Sequence, residues 1–262
     1  MNIGRSLSLI HNKIDRCRKF KPYLYLFTTS WLGAFLLRLA AKHGYKDMLQ
    51  FFIENFADVN ARGVNRNTAL HCAARNGHKD VVKLLLISGA NINAMSNKGS
   101  TPLHYSVKRG LERIAEILLE NKANPNLEDV DGCTPLYLAI KAKSDEMVKM
   151  LLRRGGSVHV IDNNCNTPLH AAVDCDYETA VSVLLKNGAY VNATDKYDCT
   201  PLHIAVMRKN IAITTILLKH GANVHLETSG HTALEMAKAN NSKKIVELLM
   251  EYGAELKRGK LW

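Results

Sequence analysis

Six tetrapeptides of one type run through the chain: Thr68-Ala69-Leu70-His71, Thr101-Pro102-Leu103-His104, Thr134-Pro135-Leu136-Tyr137, Thr167-Pro168-Leu169-His170, Thr200-Pro201-Leu202-His203 and Thr232-Ala233-Leu234-Glu235. They follow one another at steps of 33, 33, 33, 33 and 32 residues. A fixed period of this length describes units that bury their apolar faces against neighbouring units, and it excludes a single globular core.

Local chemistry gives the shape of each unit. The Thr hydroxyl can cap a helix, and Pro102, Pro135, Pro168 and Pro201 stand at the first helical position, where a missing N–H costs nothing. Leu70-His71-Cys72-Ala73-Ala74 then reads as a short helix with small residues, ended by a left-handed glycine such as Gly77 or Gly110. A longer amphipathic helix follows, with Val81, Val82, Leu84, Leu85 and Leu86 in one unit and Ile114, Ile117, Leu118 and Leu119 in the next. Gly89, Gly188, Gly221 and Gly253 close the second helix, and polar stretches such as Ser96-Asn97-Lys98-Gly99 read as hairpin turns leading to the next Thr.

Each unit ends on a second signal, as in Gly89-Ala90-Asn91-Ile92-Asn93, Gly188-Ala189-Tyr190-Val191-Asn192 and Gly221-Ala222-Asn223-Val224-His225. The pairing of Thr-Pro-Leu-His-x-Ala with Gly-Ala-Asn-Val-Asn-Ala at this period closely resembles the ankyrin repeat family. The resemblance implies an all-α solenoid of stacked ankyrin repeats, each a helix-turn-helix with a β-hairpin finger. Leu39-Ala40-Ala41-Lys42-His43-Gly44 and Ala57-Asp58-Val59-Asn60-Ala61 extend it backwards by one degenerate unit. The expected organisation is a basic N-terminal segment with an apolar run (1–34), one continuous array (35–61, 62–94, 95–127, 128–160, 161–193, 194–225 and 226–256), and a short basic tail (257–262).

Catalysis finds no support in the residues: GxSxG, HExxH and phosphate-cradling glycine loops are all absent from the sequence. The expectation is a non-enzymatic chain without cofactor or metal. Cys72, Cys133, Cys165, Cys175 and Cys199 fall about one per repeat without a CxxC pair, which reads as reduced structural thiols and a reducing, cytoplasmic compartment. His71, His104, His170 and His203 recur at one repeat position, where the resemblance implies a hydrogen bond to backbone that steadies the turn. Asn60, Asn93 and Asn192 fall where some family members are hydroxylated, but read here as braces of the turn.

What varies between repeats faces partners. Family architecture puts partner contacts on the finger tips and on the exposed end of helix one. There the chain offers Lys42-His43, Arg75-Asn76, Lys108-Arg109 and Lys141-Ala142-Lys143; the sign reverses at Asp174-Cys175-Asp176 and returns at Met207-Arg208-Lys209. Candidate partner-binding residues are therefore Arg75, Lys108, Arg109, Lys141, Lys143, Asp174, Arg208 and the finger-tip aromatic Tyr197. Aligned cations suit a protein partner with an acidic segment. The formal charge of +11 is concentrated at the ends, where Arg5, Lys13, Arg16, Arg18, Lys19 and Lys21 face only Asp15, and Lys257, Arg258 and Lys260 face only Glu255. No recognition motif or stacking aromatic series accompanies it, which ranks nucleic acid below protein as a partner.

Tyr23 to Leu37 carries no charge and follows a basic stretch. It is shorter than the ~20 apolar residues of a membrane span. It reads as a buried cap, with a membrane anchor or signal as the alternative. Only six residues follow Leu256, so the array itself is expected to be the working part. The functional expectation is an adaptor, inhibitor or scaffold binding through the concave groove and finger tips, in the manner of host-directed effectors secreted into a host cell. A membrane-associated protein anchored through Tyr23 to Leu37 is the alternative.

Overall fold

Thr101 shows how the recurring tetrapeptide makes a helix. Its backbone is extended, its Oγ1 accepts the His104 N–H at 3.4 Å, and the His104 Nδ1 accepts the Thr101 N–H at 3.1 Å. This reciprocal box satisfies two helix-terminal donors at once, with a histidine where Glu or Gln is usual. In the last unit Glu235 takes the histidine's place, its Oε2 accepting the Thr232 N–H at 2.8 Å. Tyr137 is the exception, because its ring has no acceptor for the Thr134 N–H; its hydroxyl donates instead to Asp162 Oδ2 at 3.1 Å.

The computed structural model describes residues 31–55 and 57–255. Among them are fourteen α-helices in consecutive pairs, and the chain separates into two compact units at Asn124 and Pro125. In the first unit the pairs are α1 (Trp31–His43) with α2 (Lys46–Glu54), α3 (Ala69–Asn76) with α4 (Lys79–Ile87), and α5 (Pro102–Lys108) with α6 (Glu112–Glu120). The first helices of the pairs pack in the order α1, α3, α5, and the second helices as α2, α4, α6. Leu37, Leu49, Leu70, Leu85, Leu103, Ile114 and Leu118 are fully buried between the two rows. Ala40, Ala41, Ala73 and Ala74 let the first helices approach closely.

The second unit holds α7 (Pro135–Lys141) with α8 (Asp145–Arg153), α9 (Pro168–Asp174) with α10 (Glu178–Lys186), α11 (Pro201–Met207) with α12 (Ile211–Lys219), and α13 (Ala233–Ala239) with α14 (Lys243–Glu251). Its rows are α7, α9, α11, α13 and α8, α10, α12, α14, buried around Leu136, Ile140, Met147, Leu151 and Leu169.

The fingers are hairpin turns, but among the described residues only the last forms strands, β1 (Glu227–Thr228) paired antiparallel with β2 (His231–Thr232). In the fingers of Asp129, Asp162 and Asp195 the aspartate at the base takes backbone donors that a ladder would use. Asp195 Oδ1 accepts from the Tyr197 and Cys199 amides, and Asp162 Oδ1 from those of Asn164 and Asn166.

The uncharged run expected to cap or anchor the chain is half in view. Tyr23 to Ser30 lie outside the described residues, whereas the remainder opens α1, one turn earlier than Phe35, with Leu37 buried. Among the described residues no helix is long and apolar enough to cross a membrane.

Candidate functional site

Three of the four recurring histidines, His71, His170 and His203, are engaged on both ring nitrogens. In His71 the Nδ1 accepts the Thr68 N–H at 3.1 Å while Nε2 donates to the Ser100 carbonyl of the next finger at 3.1 Å. His170 and His203 do the same toward the Cys199 and Leu226 carbonyls. Burial, the largest influence, lowers the pKa of His71 to about 4 and depresses those of His170 and His203, so these rings are neutral braces without a lone pair to offer a metal. Among the described residues no cluster of His, Cys, Asp or Glu could hold a metal ion.

The asparagines brace across repeats. Asn60 donates from Nδ2 to the Gly89 carbonyl at 3.1 Å and accepts the Asn91 N–H at 2.7 Å, and Asn192 makes the same pair of bonds to Gly221 and Asn223.

With the recurring residues engaged in this way, the variable ones line two concavities, one in each unit. The first, about 340 Å³, is bounded by Lys42, Arg75 and Arg109 at the ends of α1, α3 and α5, with Cys72, Asn67 and Tyr105 on its walls. The Tyr105 hydroxyl donates to Asn67 Oδ1 at 3.3 Å, and the Arg75 guanidinium lies 5.8 Å from the Tyr105 ring centroid. Burial pushes the Cys72 thiol up, although Arg38, Lys42 and Arg75 each pull it the other way. Lys108 is exposed and is not among the lining residues.

The second, about 620 Å³, collects Lys141, Asp174, Met207 and Arg208 from the helix-one row and Asp162, Asp195, Lys196 and Tyr197 from the fingers. Asp174 pairs with two of its cations. Asp174 accepts from Lys141 Nζ at 3.3 Å and from the Arg208 guanidinium, whose other terminal nitrogen is 3.9 Å from Asp176. Burial acts to raise the Asp174 carboxyl, but Arg208 and Lys141 outweigh it and hold it below the usual carboxylate range; Asp174 in turn raises Arg208. Lys196 donates to Asn164 Oδ1 at 2.6 Å and lies 4.9 Å from the Tyr197 ring centroid. Tyr197 is 65% exposed at the rim.

The structure thus brings Arg75 and Arg109 together in one unit, and Lys141, Asp174, Arg208 and Tyr197 in the other. Lys143 falls instead on the turn after α7, with a left-handed backbone at φ 51°. Asn67, Tyr105, Asn164 and Lys196 were missed as lining residues. They stand at four different repeat positions, one, three and four residues before the repeat Thr and four after it, so no single column of the repeat pointed to them.

Stacked helix pairs with inward-facing fingers define a repeat-protein class, and comparison with known proteins names it. A family model described as ankyrin repeats (3 copies) matches residues 36–129, 123–195 and 191–259. The chain belongs to the ankyrin repeat family. It is similar to the crystal structure of the human ASB11 ankyrin repeat domain, at 30% identity and a TM-score of 0.69 over 84% of this chain and 98% of that one. It is also similar to the ankyrin repeat domain of Bcl-3, described as a unique member of the IkappaB protein family, at 26% identity and a TM-score of 0.76 over 82% of this chain and 97% of that one. Among curated protein sequences none matches the chain. The family and these neighbours support a protein–protein interaction module, a class that is typically non-enzymatic.

Proposed function

We propose that the chain is a non-enzymatic adaptor, inhibitor or scaffold that binds another protein through its concave surfaces and finger tips, the partner presenting an acidic segment. One observation carries this reading. The recurring Thr, His and Asn residues are consumed by caps and cross-repeat bonds, while the helix-one ends lining the concavities change from Lys42 and Arg75 to Lys141, Asp174 and Met207. Exposed Tyr197 supplies a rigid aromatic contact at the rim, the kind of residue that anchors interfaces.

Affinity capture from a cell extract tests it, comparing the unaltered chain with a Tyr197→Ala, Met207→Glu double variant whose circular dichroism melt is unchanged. A protein retained by the former and lost by the latter is the expected result. Identical captured sets would overturn the concave surface as the working face.

A further inference from the structure

The two concave surfaces differ in chemistry, and the difference is written in both rows that build them. In the first unit, α1, α3 and α5 and the finger segments 61–68 and 94–101 contain no Asp or Glu. In the second, Asp174 stands on a helix-one end, and the finger base holds Asp129, Asp162 and Asp195 at the repeat position where the first unit has Gly63 and Ser96. Two of the cations that line the second concavity, Lys141 and Arg208, are matched by Asp174. Lys42, Arg75 and Arg109 make no ion pair with any described residue, although each lines the same concavity. Behind them Arg38 Nη1 is buried with no hydrogen-bond partner among the described residues.

We propose that the first unit's concavity takes an extended acidic segment of a partner protein, with carboxylates at every third residue received by Lys42, Arg75 and Arg109. This rests on the interaction-module reading given under Proposed function and specifies its partner chemistry. The three cations stand on successive first helices, and packed helices lie about 8–10 Å apart. A polyproline-type chain turns once in three residues with a rise of ~3.1 Å each, so side chains three apart share a face at a spacing of ~9 Å. Carboxylates on that face meet one cation per repeat, and the Arg75 and Arg109 guanidinia can each receive one in two-pronged fashion. A concavity of about 340 Å³ admits a few side chains and not a duplex, and Tyr105 is its only aromatic ring besides the engaged His71.

Fluorescence anisotropy with labelled peptides tests the assignment. The probes are repeated Glu-Pro-Ala triplets, an isomer of the same composition with its Glu residues clustered at one end, repeated Lys-Pro-Ala triplets, and oligothymidylate. The triplet Glu peptide should bind best, lose affinity on raising salt, and weaken about tenfold or more in an Arg75→Gln, Arg109→Gln variant; Lys219→Gln, at an exposed position on α12 that lines neither concavity, should leave it unchanged. If the double variant melts differently, Arg109→Gln alone is read, since Arg109 is an exposed helix-end residue. Equal binding of the Lys peptide or of the clustered isomer, or indifference to the Arg substitutions, would overturn the proposal. Tighter binding of oligothymidylate, lost with the same substitutions, would overturn it in favour of single-stranded nucleic acid. Partner capture dependent on Tyr197 and Met207 would survive either failure, so the broader reading stands or falls separately.

Discussion

Asp174 receives the guanidinium of Arg208, 34 positions further along the chain, and in doing so ties the end of one first helix to the end of the next. Lys141 reaches the same carboxylate from the other side at 3.3 Å. One acid therefore neutralises the cations of both neighbouring repeats. Replacing it by Asn should leave Lys141 and Arg208 facing the concavity uncompensated. All three side chains are nearly half exposed, so solvent screening keeps the stability cost below about 1 kcal/mol. The expected gain is a separate anion site in the second unit's concavity: in an Arg75→Gln, Arg109→Gln background, Asp174→Asn should restore binding of the Glu-Pro-Ala probe in the same anisotropy assay, and no gain would show that Lys141 and Arg208 take up no anion once released.

Acid should unfold the repeats through their histidines. The His71 pKa, ordinarily near 6.5, falls to about 4 because burial disfavours the charged ring, and its Nδ1 already accepts the Thr68 N–H. The unfolded chain therefore binds the proton more readily than the folded one. The stabilisation is full above pH 6.5 and is lost as pH falls toward 4, on the order of 3 kcal/mol for this residue. His170 and His203, lowered by the same cause, act with the same sign. Urea unfolding between pH 7 and pH 4 measures it. His71→Gln keeps an acceptor for Thr68 but does not titrate, so its pH slope should be shallower; an equal slope would remove His71 from the account.

The helix pairs and their caps were legible in the sequence because they depend on contacts within three or four residues, as between Thr101 and His104. Cross-repeat bonds were harder to read. The Asn60 side chain braces the following repeat at Gly89 and Asn91, a relation that repeat spacing places nearby but does not distinguish from a local turn. The pairing of Asp174 was hidden for the same reason, since its sign reversal could be noted but its partners are 33 and 34 residues away. Lys108 and Arg109 illustrate a third limit. Adjacent residues at a helix end diverge by about 100°, so a basic pair does not reveal which member faces the groove; Arg109 lines it and Lys108 does not.

Leu118 on α6 is fully buried, in a helix packed against both α5 and α4. Leu118→Ala removes methyl groups from a site that neighbouring helices already close, and a cost of roughly 2–5 kcal/mol is expected. Because coupling in stacked repeats passes between neighbours, hydrogen exchange should quicken in α4 as well as in α6. An unchanged melting temperature would contradict the 33-residue register that places this leucine inside.

The turn between the helices of each pair needs a left-handed residue, and the two units fill it differently. Gly44, Gly77 and Gly110 take it in the first unit at φ 77°, 80° and 67°; Lys143, Asp176, Lys209 and Asn241 take it in the second at φ 51°, 49°, 55° and 55°. Aspartate and asparagine tolerate this region, but lysine gains nothing there to offset the crowding of its Cβ against backbone, about 1–2 kcal/mol. Glycine would relieve that strain while adding about 0.5–1 kcal/mol of chain entropy to the unfolded state. Lys143→Gly and Lys209→Gly should each therefore stabilise by about 0.5–1 kcal/mol, and Gly110→Lys, whose added Cβ would meet nothing within 4 Å, should lose a similar amount. Gly44→Ala should cost more than Gly110→Lys, because its Cβ would lie 2.5 Å from the His78 ring, whose Nε2 is bound to the Lys42 carbonyl at 2.9 Å. Thermal melts of the four variants decide the matter: a Lys143→Gly chain no more stable than its parent, beside a Gly110→Lys chain no less stable, would mean that left-handed strain does not distinguish these turns.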